Sequence, residues 1–124
     1  MKLLNDFFII TDKSGNDDVH AFDLELNSNH EIFKGHFPSA PVTPGVIQLQ
    51  IIEELTSGIV GKELKLSKIN RCKFLGLIDP IRIPVVKVEI SIKEDELGVQ
   101  VVAKMKALED VLMKGDLNFK SKGI

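Results

Sequence analysis

The sequence has one cysteine, Cys72, and only three histidines, which are spread over loop and strand patterns. A single cysteine excludes an internal disulfide and is typical of a protein in a reducing cytoplasm. His20, His30 and His36 form no cluster with each other or with the cysteine, so the spacing that predicts a zinc site is missing. We therefore expect no disulfide, no metal and no redox cofactor.

Long apolar runs and dense basic runs are also missing. No stretch approaches the roughly 18 apolar residues of a membrane-spanning helix. The start, "MKLLNDFFII", is interrupted by Asn5 and Asp6 and is not followed by a small-residue cleavage site, so it does not resemble a signal peptide. A formal net charge of -2 argues against a nucleic-acid surface. With 124 residues, 44% of them hydrophobic, the chain is expected to be one cytoplasmic domain, residues 1–124, with a core of its own.

Most of the chain alternates apolar and polar residues with a period of two, which is typical of strands with one buried face. The clearest run is Val86, Val88, Ile90 and Ile92, and further runs cover residues 7–12, 20–27, 101–107 and 113–120. The segments after residue 85 are joined by short turns, so the C-terminal half is predicted to be an antiparallel meander.

One segment has helical spacing instead. From residue 44 to residue 60, apolar side chains recur at Ile47, Ile51, Leu55 and Ile59. Thr43 is the predicted N-cap, Pro44 suits the first helical position, and Gly61 marks the end. The opposite face carries the polar residues, and Gln48 is expected to be a buried amide with backbone partners. Fold class is thus α+β: about six antiparallel strands wrapped around one long helix.

The loop before this helix reads "GHFPSAPVTPGV", residues 35–46. Pro38, Pro41 and Pro44 restrict the backbone on the C-terminal side of His36, which indicates that the histidine is held in a fixed place. This stretch resembles the signature of the hotdog-fold 3-hydroxyacyl-(acyl-carrier-protein) dehydratases. Weaker similarity extends through "DLELNSNHEIFKGHFP" and "LSKINRCKFLGLIDP". The resemblance implies a hotdog fold and water removal from acyl thioesters in fatty-acid or related acyl-chain biosynthesis.

The resemblance also implies the site. His36 would be the base that takes the proton from C2, since imidazole has the near-neutral pKa this requires. The backbone N–H groups of Gly45 and Val46, at the N-terminus of the helix, would stabilise the thioester oxygen. Four residues would shape the loop: Gly35, Phe37, Pro38 and Pro44.

One position departs from the family pattern. The family places a carboxylate fourteen residues after the histidine, where it serves as the acid and reaches the histidine of the partner subunit. This sequence has Gln50 there. A carboxamide has no proton to give at neutral pH, and a positioned acid contributes about 10²–10⁴ in rate.

Three interpretations remain open. Gln50 orients the hydroxyl or a water while His36 both takes and returns the proton. Alternatively, Glu53 or Glu54 replaces the missing acid, although both carboxylates are expected to be solvated. Or the chain is a hotdog thioesterase or a non-catalytic acyl-binding subunit.

The resemblance implies partners as well. The substrate would be linked to acyl carrier protein or coenzyme A, and the assembly would be a homodimer or a higher homo-oligomer, because the family builds each site from both subunits. No nucleic acid or membrane partner is expected. The basic residues that could receive an acidic carrier protein are Lys68, Arg71, Lys73, Lys114, Lys120 and Lys122.

Overall fold

The fold was obtained as a computed structural model, which describes residues 2–34 and 42–121. Six strands and one long helix follow each other along the chain: β1 Phe8–Gly15, β2 Val19–Leu26, α1 Gly45–Val60, β3 Leu64–Phe74, β4 Val85–Asp95, β5 Gly98–Ala107 and β6 Asp110–Ser121. A short 3₁₀ helix, Glu31–Phe33, lies between β2 and α1. The predicted α+β class with six strands and one long helix is confirmed.

The strands form a single antiparallel sheet with the order β1-β2-β4-β5-β6-β3. Short turns join β4, β5 and β6, so the predicted meander is confirmed; Val88 faces Met105, and Met105 faces Met113. Strand β3 precedes the meander in sequence but pairs with β6 at the edge of the sheet. In chain order α1 therefore lies between β2, which is next to one edge of the sheet, and β3, which is the opposite edge strand.

The core lies between α1 and one face of the sheet. The alternation seen in the sequence places the apolar set of each strand on this face, and on β5 Val99, Val101, Ala103 and Met105 are all buried. The helix contributes Ile47, Ile51, Ile52 and Leu55 to the same core. No helix in the described ranges has the length and apolar content to cross a membrane.

The helix begins one residue later than predicted. Pro44 is the N-cap in an extended conformation, and no side chain caps the helix, so the predictions of Thr43 as N-cap and Pro44 as first helical residue were both wrong. Thr43 is buried instead, and its N–H donates to the Ile78 carbonyl at 2.8 Å. Its side chain is buried and cannot reach the first turn from outside. The end was predicted correctly: Gly61 has φ 77° and closes the last turn onto Ser57.

Candidate active site

The predicted catalytic histidine belongs to a stretch outside the described residues. Residues 35–41 include Gly35, His36, Phe37, Pro38 and Pro41, so the roles assigned to these five stay predictions. Both ends of the stretch are described, however, and each is anchored by specific contacts. The anchors fix the described residues on either side of it, the 3₁₀ helix that ends before Lys34 and the residues that lead into α1.

The N-terminal anchor is built around His30. Its Nδ1 accepts a hydrogen bond from the Ile32 N–H at 3.1 Å and thereby caps the 3₁₀ helix, while Nε2 lies 3.0 Å from the Asp6 carboxylate. The ring packs edge-on against Phe7 with centroids 5.3 Å apart, and Phe7 in turn contacts buried Phe33. His30 is thus a structural residue.

The C-terminal anchor leads directly into the start of α1. The Thr43–Ile78 hydrogen bond fixes the chain just before Pro44, and the Pro44 carbonyl accepts from Ile47 and Gln48 at 3.1 Å each. The N–H groups of Gly45 and Val46 donate to no acceptor in the described part of the chain. They are available to a ligand oxygen, and the positive end of the helix dipole favours negative charge there.

An aromatic ring lies against Gly45, the first helical residue. A Cβ added to Gly45 would be 2.7 Å from Cζ of Phe74, which is far inside normal contact distance. Phe74 is the last residue of β3 and half-exposed. The site is therefore bounded on one side by the exposed N-terminus of α1 and on another by the end of β3. In the sequence, Phe74 stood out only as part of the weakly similar stretch "LSKINRCKFLGLIDP", and nothing there indicated that its ring covers Gly45.

Gln50 lies one turn further along α1 and is partly buried. Its Nε2 donates to Oε2 of Glu54 at 3.0 Å. This hydrogen bond holds the amide in a defined orientation, since the donor is a neutral amide and the acceptor is a carboxylate that is itself fixed. The predicted position of Gln50 opposite His36 of a partner subunit stays a prediction.

Glu54 is fixed by the backbone at the start of the chain. The Leu3 N–H donates to both carboxylate oxygens, at 3.0 and 2.8 Å, and the Leu4 N–H donates to Oε1 at 2.9 Å. Glu53 accepts from the Leu66 N–H at 2.7 Å and so connects α1 to β3. The expectation that these two carboxylates are simply solvated was wrong, because both hold backbone donors that are distant in sequence.

Two buried polar side chains lie close to the start of the helix. Gln48 donates through Nε2 to the Thr43 carbonyl at 3.2 Å, as expected for a buried amide. Its Oε1 and the Thr43 hydroxyl, however, have no hydrogen-bond partner among the described residues. Both residues line a cavity of about 10 Å³ between α1 and the sheet, which is about the space that one water molecule requires.

The described residues contain no metal-binding cluster, and their one cysteine is partly buried. In residues 2–34 and 42–121, no group of three or more His, Cys, Asp or Glu side chains is arranged to hold a metal ion. Cys72 is a partly buried residue of β3, and burial raises the pKa of its thiol.

A protein-family model matches most of the chain. The model described as "ApeI dehydratase" matches residues 12–111. Among curated proteins, 3-hydroxyacyl-[acyl-carrier-protein] dehydratase FabZ of Pediococcus pentosaceus is 33% identical over 78 residues, covering 57% of this chain and 52% of that enzyme. The FabZ of Lactobacillus helveticus is 29% identical over 98 residues, covering 73% and 66%. These matches span about half to two thirds of the enzymes' lengths.

Solved structures share the fold. The dehydratase heterocomplex ApeI:P from Xenorhabdus doucetiae superposes with a TM-score of 0.72 at 18% identity, covering 91% of this chain and 97% of that one. Cj0977, a sigma28-regulated virulence protein from Campylobacter jejuni, has a TM-score of 0.67 at 13% identity, covering 98% and 89%. At these identities the likeness concerns the fold alone, and it confirms the predicted hotdog architecture.

Proposed function

The chain belongs to the ApeI-like dehydratase family, and we propose on that basis that it removes water from 3-hydroxyacyl thioesters in fatty-acid or related acyl-chain biosynthesis. The observation that carries the proposal is the match over residues 12–111, which includes the histidine loop and all of α1. The product is the 2,3-enoyl thioester. The FabZ relatives act on substrates linked to acyl carrier protein, and we assign the same carrier to this chain. We also propose that the protein works in the cytoplasm.

In the proposed reaction His36 takes the proton from C2, and the electron pair moves to the thioester carbonyl. The N–H groups of Gly45 and Val46 stabilise the resulting negative oxygen, because both lack acceptors in the described chain and lie at the positive end of α1. The electron pair then returns, the C2–C3 double bond forms and the C3–O bond breaks. The leaving hydroxide takes a proton and departs as water.

The proton for the leaving hydroxide must come from a group other than the family's carboxylate, because position 50 is a glutamine. Gln50 cannot supply it, because a carboxamide is not an acid at neutral pH. Glu53 and Glu54 each already accept a backbone N–H, and both carboxylates have a structural function. We therefore favour a mechanism in which the protonated His36 returns its proton to the leaving hydroxyl. Gln50, oriented by Glu54, holds that hydroxyl in place.

We further propose that the working form is a homodimer. β3 is at the edge of the sheet, with β6 on one side and no described strand on the other. Ile69 and Phe74, both on this strand, are about half-exposed. An unpaired edge of this kind is a template for pairing with a second chain. A complex with a different hotdog chain is the alternative, as in the ApeI:P heterocomplex.

A second function is favoured by one observation, the amide at position 50. A hotdog chain without an acid in that position could instead hydrolyse acyl thioesters, or bind them without turnover. The test is to incubate the purified protein with 3-hydroxyacyl and enoyl thioesters and to measure dehydration, hydration and hydrolysis separately. We expect dehydration and its reverse. Hydrolysis alone would favour the thioesterase, and binding without turnover would favour the acyl-binding subunit.

The residue-level test is His36→Ala, with His20→Ala on β2 as the matched control. The first change should abolish dehydration and leave folding intact, because only the base is lost. The second should leave the rate unchanged. Equal turnover by His36→Ala and the parent protein would refute the proposed mechanism.

A further inference from the structure

The buried amide of Gln48 holds the residue that precedes the N-cap of α1. Its Nε2 donates to the Thr43 carbonyl at 3.2 Å, and the Thr43 N–H donates to the Ile78 carbonyl at 2.8 Å. Both backbone groups of Thr43 are therefore held, one by the first turn of the helix and one by the loop between β3 and β4. Gln48 and Thr43 are both buried, so these two hydrogen bonds are made in the interior of the protein.

The backbone of Gln48 holds the N-cap residue as well. The Gln48 N–H donates to the Pro44 carbonyl at 3.1 Å, and the Ile47 N–H donates to the same oxygen at 3.1 Å. The C=O and N–H groups of a trans peptide point in opposite directions, and the described residues contain no cis peptide bond. The N–H of Gly45, which belongs to the same peptide group as the Pro44 carbonyl, therefore points outward beyond the end of the helix.

An amide is an unfavourable side chain for this buried position of α1. The Oε1 of Gln48 has no hydrogen-bond partner among the described residues, and an unpaired buried acceptor carries a free-energy penalty. An apolar side chain, as at the neighbouring buried positions Ile47 and Ile51, would avoid that penalty. A residue that breaks a local rule in this way is expected at a functional or strained site. What the amide adds is the hydrogen bond to the Thr43 carbonyl.

We propose that Gln48 is a positioning residue that keeps the N–H groups of Gly45 and Val46 aimed at the thioester oxygen. This role rests on the proposed function, in which those two N–H groups stabilise the negative oxygen of the reaction. Without the hydrogen bond from Gln48, the Thr43 carbonyl is free to turn, and the whole Thr43–Pro44 peptide group turns with it because a peptide group is planar. Gly45 follows directly in the chain, so the two donors would shift relative to the substrate.

A small shift of these donors has a large effect because the thioester oxygen is more negative in the transition state than in the bound substrate. Donors that are already in place when the charge develops stabilise the transition state selectively. A misplacement of about 1 Å at a reacting centre costs about 10²-fold in rate. Loss of the Gln48 hydrogen bond should therefore lower kcat more than it raises KM, whereas loss of a purely structural hydrogen bond would lower stability.

The test compares Gln48 with Thr56, another buried polar residue of α1. Gln48→Met keeps a long, unbranched side chain without a donor, so it removes the hydrogen bond to Thr43 together with the unpaired Oε1. Gln48→Leu removes the same two features with a different shape and serves as the second variant. Thr56→Val is the matched control: it also removes a buried, unpaired oxygen from this helix, but about two turns further from the helix start.

The substrates are 3-hydroxyacyl thioesters of N-acetylcysteamine, a small thiol without a protein surface. No carrier protein is needed, so the basic residues suggested for carrier docking do not enter the measurement. Five of those residues are on β3 and β6, and Lys122 lies outside the described residues. For each variant, kcat and KM are measured per folded molecule, and the free energy of unfolding is measured with urea.

We expect kcat to fall about 10–100-fold in both Gln48 variants, with a smaller change in KM. Their stability should stay near the parent value, because each variant removes one unpaired oxygen and leaves the Thr43 carbonyl unpaired instead. Thr56→Val should be as active as the parent and at least as stable. An unchanged kcat in the Gln48 variants, an equal loss of kcat in Thr56→Val, or failure of both Gln48 variants to fold would overturn the positioning role.

Infrared spectroscopy keeps this role separate from the proposed function. The ligand is a saturated acyl thioester of N-acetylcysteamine, isotope-labelled at the carbonyl carbon, which has no hydroxyl to lose. Hydrogen bonds from Gly45 and Val46 should lower its C=O stretching frequency in the parent and in Thr56→Val, but much less in Gln48→Met. If the parent dehydrates no thioester, the proposed function fails, and this pattern of frequencies would still support Gln48. No lowering in the parent, or equal lowering in Gln48→Met, would overturn the positioning role.

Discussion

The amide of Gln50 donates to the carboxylate of Glu54 at 3.0 Å, one turn apart on α1. Glu54 is held in turn by the N–H groups of Leu3 and Leu4. The orientation of the residue that replaces the family's acid therefore depends on a chain of hydrogen bonds that starts at the N-terminal segment. Four predictions test this part of the protein and its surroundings.

The first prediction is that Gln50→Glu speeds dehydration of straight-chain 3-hydroxyacyl thioesters by about tenfold or more, because a positioned acid contributes about 10²–10⁴. The new carboxyl would lie beside the Glu54 carboxylate, which raises its pKa above the ordinary glutamate value. It would then keep its proton to a higher pH, and the gain in rate should disappear as pH rises through that raised pKa. The measurement is kcat against pH. Gln100→Glu on the outer face is the control, and no gain at any pH would contradict the prediction.

The second prediction separates a structural Glu54 from a catalytic one. Glu54→Gln should lower the free energy of unfolding by about 2 kcal/mol, because hydrogen bonds to a charged acceptor are each worth about 1.5–3 kcal/mol and the amide keeps part of the acceptor capacity. Activity per folded molecule should fall only a few-fold, because the substituted amide oxygen can still accept from Gln50 and no acid is lost. Urea unfolding and active-site titration measure the two quantities. Glu96→Gln in the β4–β5 turn removes the same charge and should leave both unchanged. A large loss of rate in a fully stable Glu54→Gln protein would instead identify Glu54 as the acid.

The third prediction concerns two glycines of α1. Gly45→Ala should fold, because the Phe74 ring it meets is half-exposed and can swing aside, but should lose activity. The loss should be about tenfold or more, since small displacements at a reacting centre have large effects on rate. Gly58→Ala is the control: nothing lies within 4 Å of its added Cβ, so it should stabilise the helix by about 0.5–1 kcal/mol without changing the rate. Full activity in Gly45→Ala would exclude a close approach of substrate to that backbone.

The fourth prediction is that Thr43→Val raises the free energy of unfolding by about 1 kcal/mol, because it removes a buried hydroxyl without a described partner and keeps the volume. Thr11→Val should have the opposite sign, since the Thr11 hydroxyl donates to the Asp23 carbonyl at 3.1 Å. Denaturant unfolding compares the two. A loss at Thr43 would indicate instead that a water molecule fills the cavity beside Gln48 and bridges the two side chains.

The strands and the helix were predicted well from the sequence. An element that buries one face repeats its apolar residues with its own period, about two residues in a strand and about 3.6 in a helix. The alternation at Val86, Val88 and Ile90 and the helical spacing from Ile47 to Leu55 both appear as predicted. Contacts between distant segments could not be predicted in the same way. Nothing local in the sequence pairs β3 with β6 or joins Glu54 to Leu3, 51 residues away. Thr43 is a good N-cap by residue type, but its backbone N–H bonds to the distant Ile78 carbonyl and the residue is buried, so it does not cap the helix.

The hydrogen bonds from Leu3 and Leu4 to Glu54 have a practical consequence for any preparation of the protein. An affinity tag fused to residue 1 of this sequence would be attached two residues before the Leu3 N–H and could pull it from the carboxylate that orients Gln50. Rates measured on such a fusion would then depend both on the chemistry of the site and on how far the tag disturbs the hydrogen bonds to Glu54. Kinetic comparisons of variants at residue 50 therefore call for a cleaved or untagged protein.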